Sequence, residues 1–382
     1  MCYGKPLAQK GINMTKAREF GIKRERVSRF LSERELDGVV LGRTDNFAWL
    51  GCGAQSVINA ASETGVGTLI ATADGVTLVT NNIEAERLVK EELKGLELRS
   101  VIAFPWHEPR RREELIREIV GSASFAADDG SCGLPPLPEE FKRLRYELTE
   151  AEVKRYRALG RDSSEALEEA ARQVKKGMTE SEIAGLLAVE HVQRGITPVV
   201  LLVAADARIR QWRHPLPKDK PLRRYAMLVA CGRRHGLVTA LTRFVHFGDL
   251  PPELAKRHRA VCEVDATLIV STSPGRTAAE VFAAGQKAYK KAGFDGEWQL
   301  HHQGGAIGYQ PREYIASPMC KERVLASQAF AWNPSICGTK SEDTVLVHED
   351  GFELLTRPSK NWPAVEVEVE GQKVRRAGML IR

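Results

Sequence analysis

The chain has 382 residues, 43% of them hydrophobic, which is enough for a large buried core and favours two domains. Its net charge of +6 is spread over 56 basic and 50 acidic residues, so composition excludes a typical nucleic-acid binder and predicts no nucleic-acid partner. Seven cysteines without a C-x-x-C pair favour free thiols in a reducing cytoplasm. No apolar run approaches the roughly 18 residues that a membrane helix needs, so no membrane partner is expected.

The first part of the chain alternates helical and strand-like segments. Met1–Lys16 lacks the apolar centre of a signal peptide, and we expect residues 1–22 to form a leader that could be disordered. Lys23–Glu35 has apolar residues at helical spacing, while Leu69–Thr72 and Val76–Thr80 flank a short turn and form a hairpin pattern. This alternation predicts an α/β domain over residues 23–135.

A Gly- and Pro-rich stretch, Gly130–Pro138, is the clearest linker pattern in the chain. After it, three helices are predicted to begin at threonines that are followed three residues later by glutamate, which is the capping-box pattern. These are Thr149, Thr179 and Thr277. With the linker before them, they predict a second domain over residues 136–382.

Titratable residues gather near predicted strand ends in this second domain. His214 lies in a polar loop, and its intrinsic pKa near 6.5 suits proton transfer at neutral pH. His301 and His302 precede a glycine-rich segment where the backbone can approach a ligand closely, and Glu342 opens the strand at Thr344–Val347. Such residues at the mouths of buried strands are typical of an active-site wall.

Several motifs resemble the creatinase, aminopeptidase P and prolidase family, the pita-bread proteins. They are H-x-x-x-G-x-x-G from His301, W-N-P at Trp332, G-x-x-x-E-D-x-x-x-V from Gly338, and the T-R pair at Thr242. Leu36-Asp37-Gly38 is similar to a creatinase-type N-terminal domain. The resemblance implies an α/β N-terminal domain followed by an α+β pita-bread domain, and a homodimer.

Metal-dependent members of that family hold two metal ions with two Asp, one His and two Glu. By resemblance, the five ligand positions in this chain are Ala230, Ala240, Gly305, Asn333 and Glu342. Glu342 keeps the family's carboxylate, and the other four residues replace family ligands. Methyl groups and hydrogen cannot coordinate a hard cation. We therefore expect no metal at the family's site and no cofactor.

The expected activity is metal-independent hydrolysis of an amide or amidine C–N bond in a small molecule or short peptide. By resemblance to creatinase, His214 is the predicted acid/base, with His301, His302 and Glu342 as further catalytic residues. Arg243 is expected to anchor an anionic group. The predicted substrate-binding set is Arg243, Asn333, Glu313, Lys340 and Asp343, and His214, Arg243, His301, His302, Asn333 and Glu342 are expected to wall one cavity.

Two alternatives stay open. One is a catalytically inactive pita-bread protein that binds peptides, as in the histone-chaperone relative of the family. The other is a peptidase with relocated metal ligands such as His301, His302 and Glu342. This second alternative is disfavoured because adjacent residues in an extended segment point to opposite faces.

Overall fold

The computed structural model describes residues 14–382. The helices in this part of the chain are α1 Lys16–Arg34, α2 Thr44–Leu50, α3 Ala85–Arg87, α4 Arg110–Val120, α5 Glu150–Gln173, α6 Glu180–Val192, α7 Arg208–Gln211, α8 Pro252–Ser271 and α9 Ala278–Lys291. The strands of the N-terminal part are β1 Gly38–Arg43, β2 Thr64–Thr72, β3 Gly75–Asn81, β4 Ser100–Phe104 and β5 Phe125–Ala127. Those that follow are β6 Thr197–Ala205, β7 Tyr225–Arg234, β8 Leu237–His246, β9 Gly304–Ala306, β10 Tyr314–Ile315, β11 Ala329–Trp332, β12 Ser335–Ile336, β13 Thr339–Lys340, β14 Asp343–His348, β15 Gly351–Leu354, β16 Ala364–Val369, β17 Gln372–Ala377 and β18 Met379–Ile381.

The first helix begins earlier than the sequence pattern predicts. Thr15 caps α1, because its side chain accepts a hydrogen bond from the backbone N–H of Arg18. Glu19 and Phe20 are buried. The predicted leader is therefore wrong for residues 16–22, which form the first turns of α1 and bury Glu19 and Phe20, and residues 1–13 lie outside the described part of the chain.

The N-terminal sheet has the strand order β4-β3-β2-β1-β5. The predicted hairpin is confirmed: β2 and β3 pair antiparallel around Asp74, with Thr72 opposite Gly75. Helix α4 packs on one face of this sheet through Leu115 and Ile116, and α1 packs on the other through Val27 and Leu31. The expected α/β N-terminal domain is confirmed.

Two further sheets build the C-terminal part, with helices covering their outer faces. The sheet β18-β8-β7-β6 lies against α5 and α6, and the sheet β10-β9-β11-β14-β15 lies against α8 and α9. All three predicted capping boxes are present, at Thr149, Thr179 and Thr277. These local signals fix where the outer helices begin, and the expected α+β pita-bread architecture is confirmed.

The inner faces of the two sheets meet along β8 and β14. The Thr344 hydroxyl accepts from the backbone N–H of Ala240 (2.8 Å) and donates to the carbonyl of Ala240 (3.0 Å). Ala240, Ala331 and Leu346 share one core cluster with residues of the N-terminal sheet such as Leu41. Residues at the inner ends of β8 and β14 are therefore brought close together.

A buried ion cluster joins the first helix to the C-terminal part. Lys23 has no exposed surface and pairs with Glu19 (2.7 Å) and Glu152 (2.8 Å). The Tyr309 hydroxyl donates to Glu152 at 2.7 Å. Two helices, α1 and α5, and the loop that carries Tyr309 are thus tied at one point.

Candidate active site

Strand register decides which side chains face the interior between the two sheets. In β7 and β8, Val229 lies opposite Thr242 and Cys231 lies opposite Ala240. Ala230 lies opposite Leu241, and both pack against the outer helices. Because successive side chains of a strand alternate between faces, Val229, Cys231, Ala240 and Thr242 form the inner face. The Thr242 hydroxyl indeed donates to the Glu342 carboxylate at 2.6 Å.

Three histidines form one cluster at this inner end. The Nε2 atoms of His214 and His301 are 3.1 Å apart, and the ring centroids of His301 and His302 are 4.7 Å apart. One ligand atom from each of the three rings lies within 4.8 Å of those of the other two. The expectation that His301 and His302 point to opposite faces is wrong, because the ring centroids of both lie close to that of His214, at 4.9 Å and 5.6 Å.

Ser335 and Arg213 hold the His301 ring in place. The Ser335 hydroxyl is 3.1 Å from His301 Nδ1 and accepts a hydrogen bond from Arg213 at 3.1 Å. Arg213 also pairs with Glu297 at 2.5 Å. Since His301 Nδ1 is engaged by Ser335, its Nε2 is the atom that faces His214.

A carboxylate with two cationic neighbours lies beside the histidines. Glu342 is 3% exposed, its carboxylate is 2.8 Å from the Lys340 ammonium, and a guanidinium nitrogen of Arg312 is 3.7 Å away. Burial alone would raise the pKa of Glu342, but the charges of Lys340 and Arg312 outweigh it and hold that pKa below its usual value. Glu342 is therefore an anion with two partners, and the trio has a net charge of about +1.

All three histidine pKa values are lowered. Desolvation is the largest cause in each case, followed by positive charge: Lys340 for His214 and His301, and Arg312 for His302. The pKa of His302 falls to about 4, and that of His301 falls well below its usual range. At neutral pH all three rings are therefore uncharged.

Residues 154–349 match the sequence profile of metallopeptidase family M24. The chain belongs to this metallopeptidase family. The predicted family is therefore confirmed, and the expected reaction class, hydrolysis of a carbon–nitrogen bond, is the one that the family's peptidases carry out. The Xaa-Pro dipeptidase of Pyrococcus furiosus is 22% identical over 360 residues, which is 88% of this chain and 98% of that protein.

Solved structures of the same fold include the prolidase of Pyrococcus horikoshii, with a TM-score of 0.75 and 18% identity, covering 89% of this chain and 99% of that one. The Xaa-Pro dipeptidase of Bacillus anthracis has a TM-score of 0.75 and 16% identity, with 95% and 100% covered. The N-terminal domain of the chickpea (Cicer arietinum) FACT complex subunit SPT16 has a TM-score of 0.65 and 12% identity, with 89% and 97% covered. At these identities the likeness shows the fold.

The side chains at the family's metal positions do not fit a pair of metal ions. The register corrects one of them: Ala230 faces the outer helices, and its two neighbours in β7, Val229 and Cys231, face the interior instead. At Gly305, a Cβ atom would lie 2.2 Å from the carbonyl oxygen of Tyr314, so this backbone leaves no room for a histidine there. Val, Ala and Gly offer no donor atoms, burial raises the pKa of the Cys231 thiol to about 12, and Lys340 already neutralises Glu342.

Arg243 and Asp343 do not lie with the histidines, so their predicted role in substrate binding is wrong. Arg243 has no exposed surface and pairs with Asp343 at 3.0 Å, and Arg376 contacts the same carboxylate at 2.8 Å. Arg376 also pairs with Asp265 of α8 at 2.5 Å. Arg243 alternates with Thr242 along β8, and Asp343 follows Glu342 in the chain, so these two residues point under the outer helices instead of into the site.

Glu313 is also engaged elsewhere. Its carboxylate pairs with Arg145 at 2.8 Å, and both side chains are buried. Arg145 also pairs with Asp45 of α2 at 3.1 Å, so Glu313 belongs to a cluster that links the N-terminal part to the segment after β9, and its predicted substrate contact is wrong. Asn333 follows β11 and is 2% exposed, and its side-chain oxygen is buried without a hydrogen-bond partner among the described residues.

Arg312, Thr242 and Ser335 were not predicted as site residues. Arg312 follows the glycine-rich segment in the polar sequence Q-P-R-E, and its charge next to a histidine-rich stretch is the one signal that could have indicated it. Thr242 and Ser335 contact the site only because separate strands converge there.

Among the described residues, no helix combines the length and apolarity needed to cross a bilayer, and the six described cysteines are free.

Proposed function

We propose that this protein hydrolyses an amide or amidine C–N bond in a small molecule or short peptide without a metal ion, with His214 as the acid/base. The observation that carries the proposal is the 3.1 Å contact between His214 Nε2 and His301 Nε2, next to the Glu342–Lys340 pair. His214 is exposed at the open side of the cluster, while His301 is 8% exposed. In this arrangement the His214 ring is available to the substrate, and the His301 ring holds the His214 ring in position.

His214 would begin the reaction as a base. Its lowered pKa keeps the ring neutral at pH 7, so that it can take a proton from water as the water attacks the carbonyl or amidine carbon. In the Nε2–Nε2 hydrogen bond, His214 Nε2–H would donate to His301 Nε2, and His301 Nδ1–H would donate to Ser335, so that His214 Nδ1 is the free nitrogen that takes the proton. The proton on His214 would then pass to the leaving nitrogen.

Arg312 replaces Arg243 as the proposed anchor for an anionic group of the substrate. Its side chain is 16% exposed, and its Nε is buried without a hydrogen-bond partner among residues 14–382. Two cations, Lys340 and Arg312, face the single carboxylate of Glu342, so the site favours an anion over a cation. A carboxylate-bearing substrate, such as a dipeptide or an N-acyl amino acid, fits this charge.

A metal-assisted hydrolysis is a second candidate, favoured by the convergence of the three histidines within 4.8 Å. Neutral imidazoles are good ligands for zinc-type ions, and Ser335 contacts the far nitrogen of His301 as an outer partner would. Lys340 and Arg312 oppose this reading, because both lower the histidine pKa values by repelling positive charge. The same repulsion disfavours a divalent cation.

The test is turnover of carboxylate-bearing dipeptides, Xaa-Pro dipeptides and N-acyl amino acids, followed as release of free amine. His214→Asn is expected to lose about 10²–10⁴-fold in rate with unchanged circular dichroism, and the exposed His107→Asn serves as the control. Activity that survives chelator and dialysis supports the metal-free reading. Activity restored only by added zinc, with the metal lost in His301→Asn, supports the second candidate.

Absence of turnover with retained peptide affinity would instead support an inactive peptide-binding protein. We further propose a homodimer in the cytoplasm, supported by the family membership, and the division into domains at residues 23–135 and 136–382. Light scattering at micromolar concentration tests the homodimer, and limited proteolysis between residues 130 and 148 tests the division into two domains.

A further inference from the structure

A groove of about 990 Å³ lies outside the histidine site, between helix α5, the segment after β15 and strand β17. Seven basic residues and two acidic residues line it, so its charge is strongly positive. The basic residues are Lys154, Arg157, Arg161, Arg357, Lys360, Lys373 and Arg375, and the acidic ones are Glu165 and Glu353. Neither His214 nor Glu342 belongs to this lining.

Three of these cations have no ion-pair partner among the described residues. Arg357, Lys360 and Lys373 are exposed, and no carboxylate lies within ion-pair distance of them. In contrast, Arg157 is held by Glu353 at 2.8 Å. Unpaired cations that share one concave surface raise the local concentration of anions, because their fields add.

The walls of the groove are two unpaired strand edges. Within residues 14–382, β15 pairs only with β14 and lies at the end of its sheet, and β17 pairs only with β16. Each strand therefore presents free backbone N–H and C=O groups on its other side. Partly exposed Phe352 and Leu354 of β15 add apolar surface between the charges.

We propose that this groove binds an extended acidic segment of a partner protein by strand addition. Backbone hydrogen bonds to β15 or β17 would hold the segment, and alternate acidic side chains would contact Arg357, Lys360 and Lys373. The strand edges favour a peptide over a nucleic acid, because a nucleic acid has no backbone N–H groups to pair with them. This inference is independent of the hydrolytic site.

The experiment uses the full chain and a fluorescein-labelled twelve-residue peptide in which Glu alternates with Val, followed by fluorescence anisotropy. The triple variant Arg357→Ser, Lys360→Ser, Lys373→Ser is expected to bind at least about tenfold more weakly, and higher salt is expected to weaken wild-type binding. The control removes the same charge from exposed positions on α9, with Lys287→Ser, Lys290→Ser and Lys291→Ser. Control binding should equal that of the wild type.

Three results would overturn the proposal. Equal loss in the groove variant and the α9 control would show general electrostatic attraction. A peptide N-methylated at alternate residues that binds as well as the parent would remove strand addition. Displacement of the peptide by a twelve-nucleotide single strand at equal or lower concentration would assign the groove to nucleic acid instead.

Discussion

Glu342 and Asp343 are neighbours in the chain, yet their carboxylates belong to two separate ion networks. Glu342 contacts Lys340 and Thr242 at the inner face, and Asp343 contacts Arg243 and Arg376 beneath the outer helices. The alternation of side chains along an extended segment causes this separation. One acidic pair in the sequence therefore supplies one residue to the candidate site and one to the buried framework.

Asp343→Asn should destabilise the fold strongly. Arg243 and Arg376 have no exposed surface, and the substitution would leave both guanidinium groups short of their shared anion. We expect a loss of about 3–5 kcal/mol in the free energy of unfolding, measured by urea denaturation. Glu353→Gln, which breaks a partly exposed pair with Arg157, is the control and should cost less than about 1 kcal/mol. Equal effects would contradict the assignment of Asp343 to a buried framework.

Lys340→Met should raise the pKa of His214. The Lys340 charge is the largest Coulombic contribution that lowers this pKa, whereas Glu342 raises it. Removing the ammonium therefore favours the protonated ring on both counts. The measurement is an NMR titration of the histidine ring signals, with Lys287→Met as a control on the distant helix α9. An unchanged or lower pKa in Lys340→Met would show that Lys340 does not act on His214.

The parts of the fold that could be predicted are those set by neighbouring residues. Thr149 with Glu152 and Thr179 with Glu182 form capping boxes within four residues, so their pattern determines where α5 and α6 begin. The hairpin of β2 and β3 is local in the same way. Residues 16–22 were assigned to a leader because their burial depends on contacts such as Glu19 with Arg155, which the local pattern does not contain.

The candidate site was predicted in part. His301 and His302 could be found as an unusual pair before a glycine-rich segment. Their convergence with His214 depends on the path of a turn that the sequence does not specify. The choice between Val229 and Ala230 shows the difficulty clearly, because a shift of one residue moves every side chain of a strand to the other face. Arg312 could not be assigned since its contact with Glu342 joins separate segments across the sheet.

The rate of hydrolysis should rise with pH and level off once the pH exceeds the pKa of His214. This pKa lies below 6.5, the usual value for histidine. A general base works only when deprotonated, and the pKa of His214 is lowered, so activity is lost as the pH falls through that pKa. His301, with a pKa far lower, stays neutral throughout this range. The measurement is kcat/KM between pH 4.5 and pH 8.5, within the proposed metal-free reaction. A rate that falls steadily from pH 6 to pH 8 would mean that a protonated group is required and would exclude His214 as the base.

Glu19→Gln should remove much of the acid sensitivity of the fold. Burial opposes ionisation of Glu19, but its hydrogen bonds and ion pairs with Arg155 and Lys23 lower its pKa from 4.5 to about 2. A carboxylate with a depressed pKa in the folded state stabilises the protein above its unfolded pKa, and this stability is lost as the pH falls from about 4.5 towards 2.

The depression corresponds to about 3 kcal/mol at neutral pH. Urea denaturation of the wild type between pH 7 and pH 3 should therefore show a decline that is smaller in Glu19→Gln, although the variant is less stable at pH 7. Glu25→Gln, on the exposed side of the same helix and 3.7 Å from Arg29, is the matched control and should keep the wild-type slope. If the stability of both variants declines with falling pH as steeply as that of the wild type, the acid sensitivity comes from other carboxylates. The ion cluster at Lys23 would then not be its source.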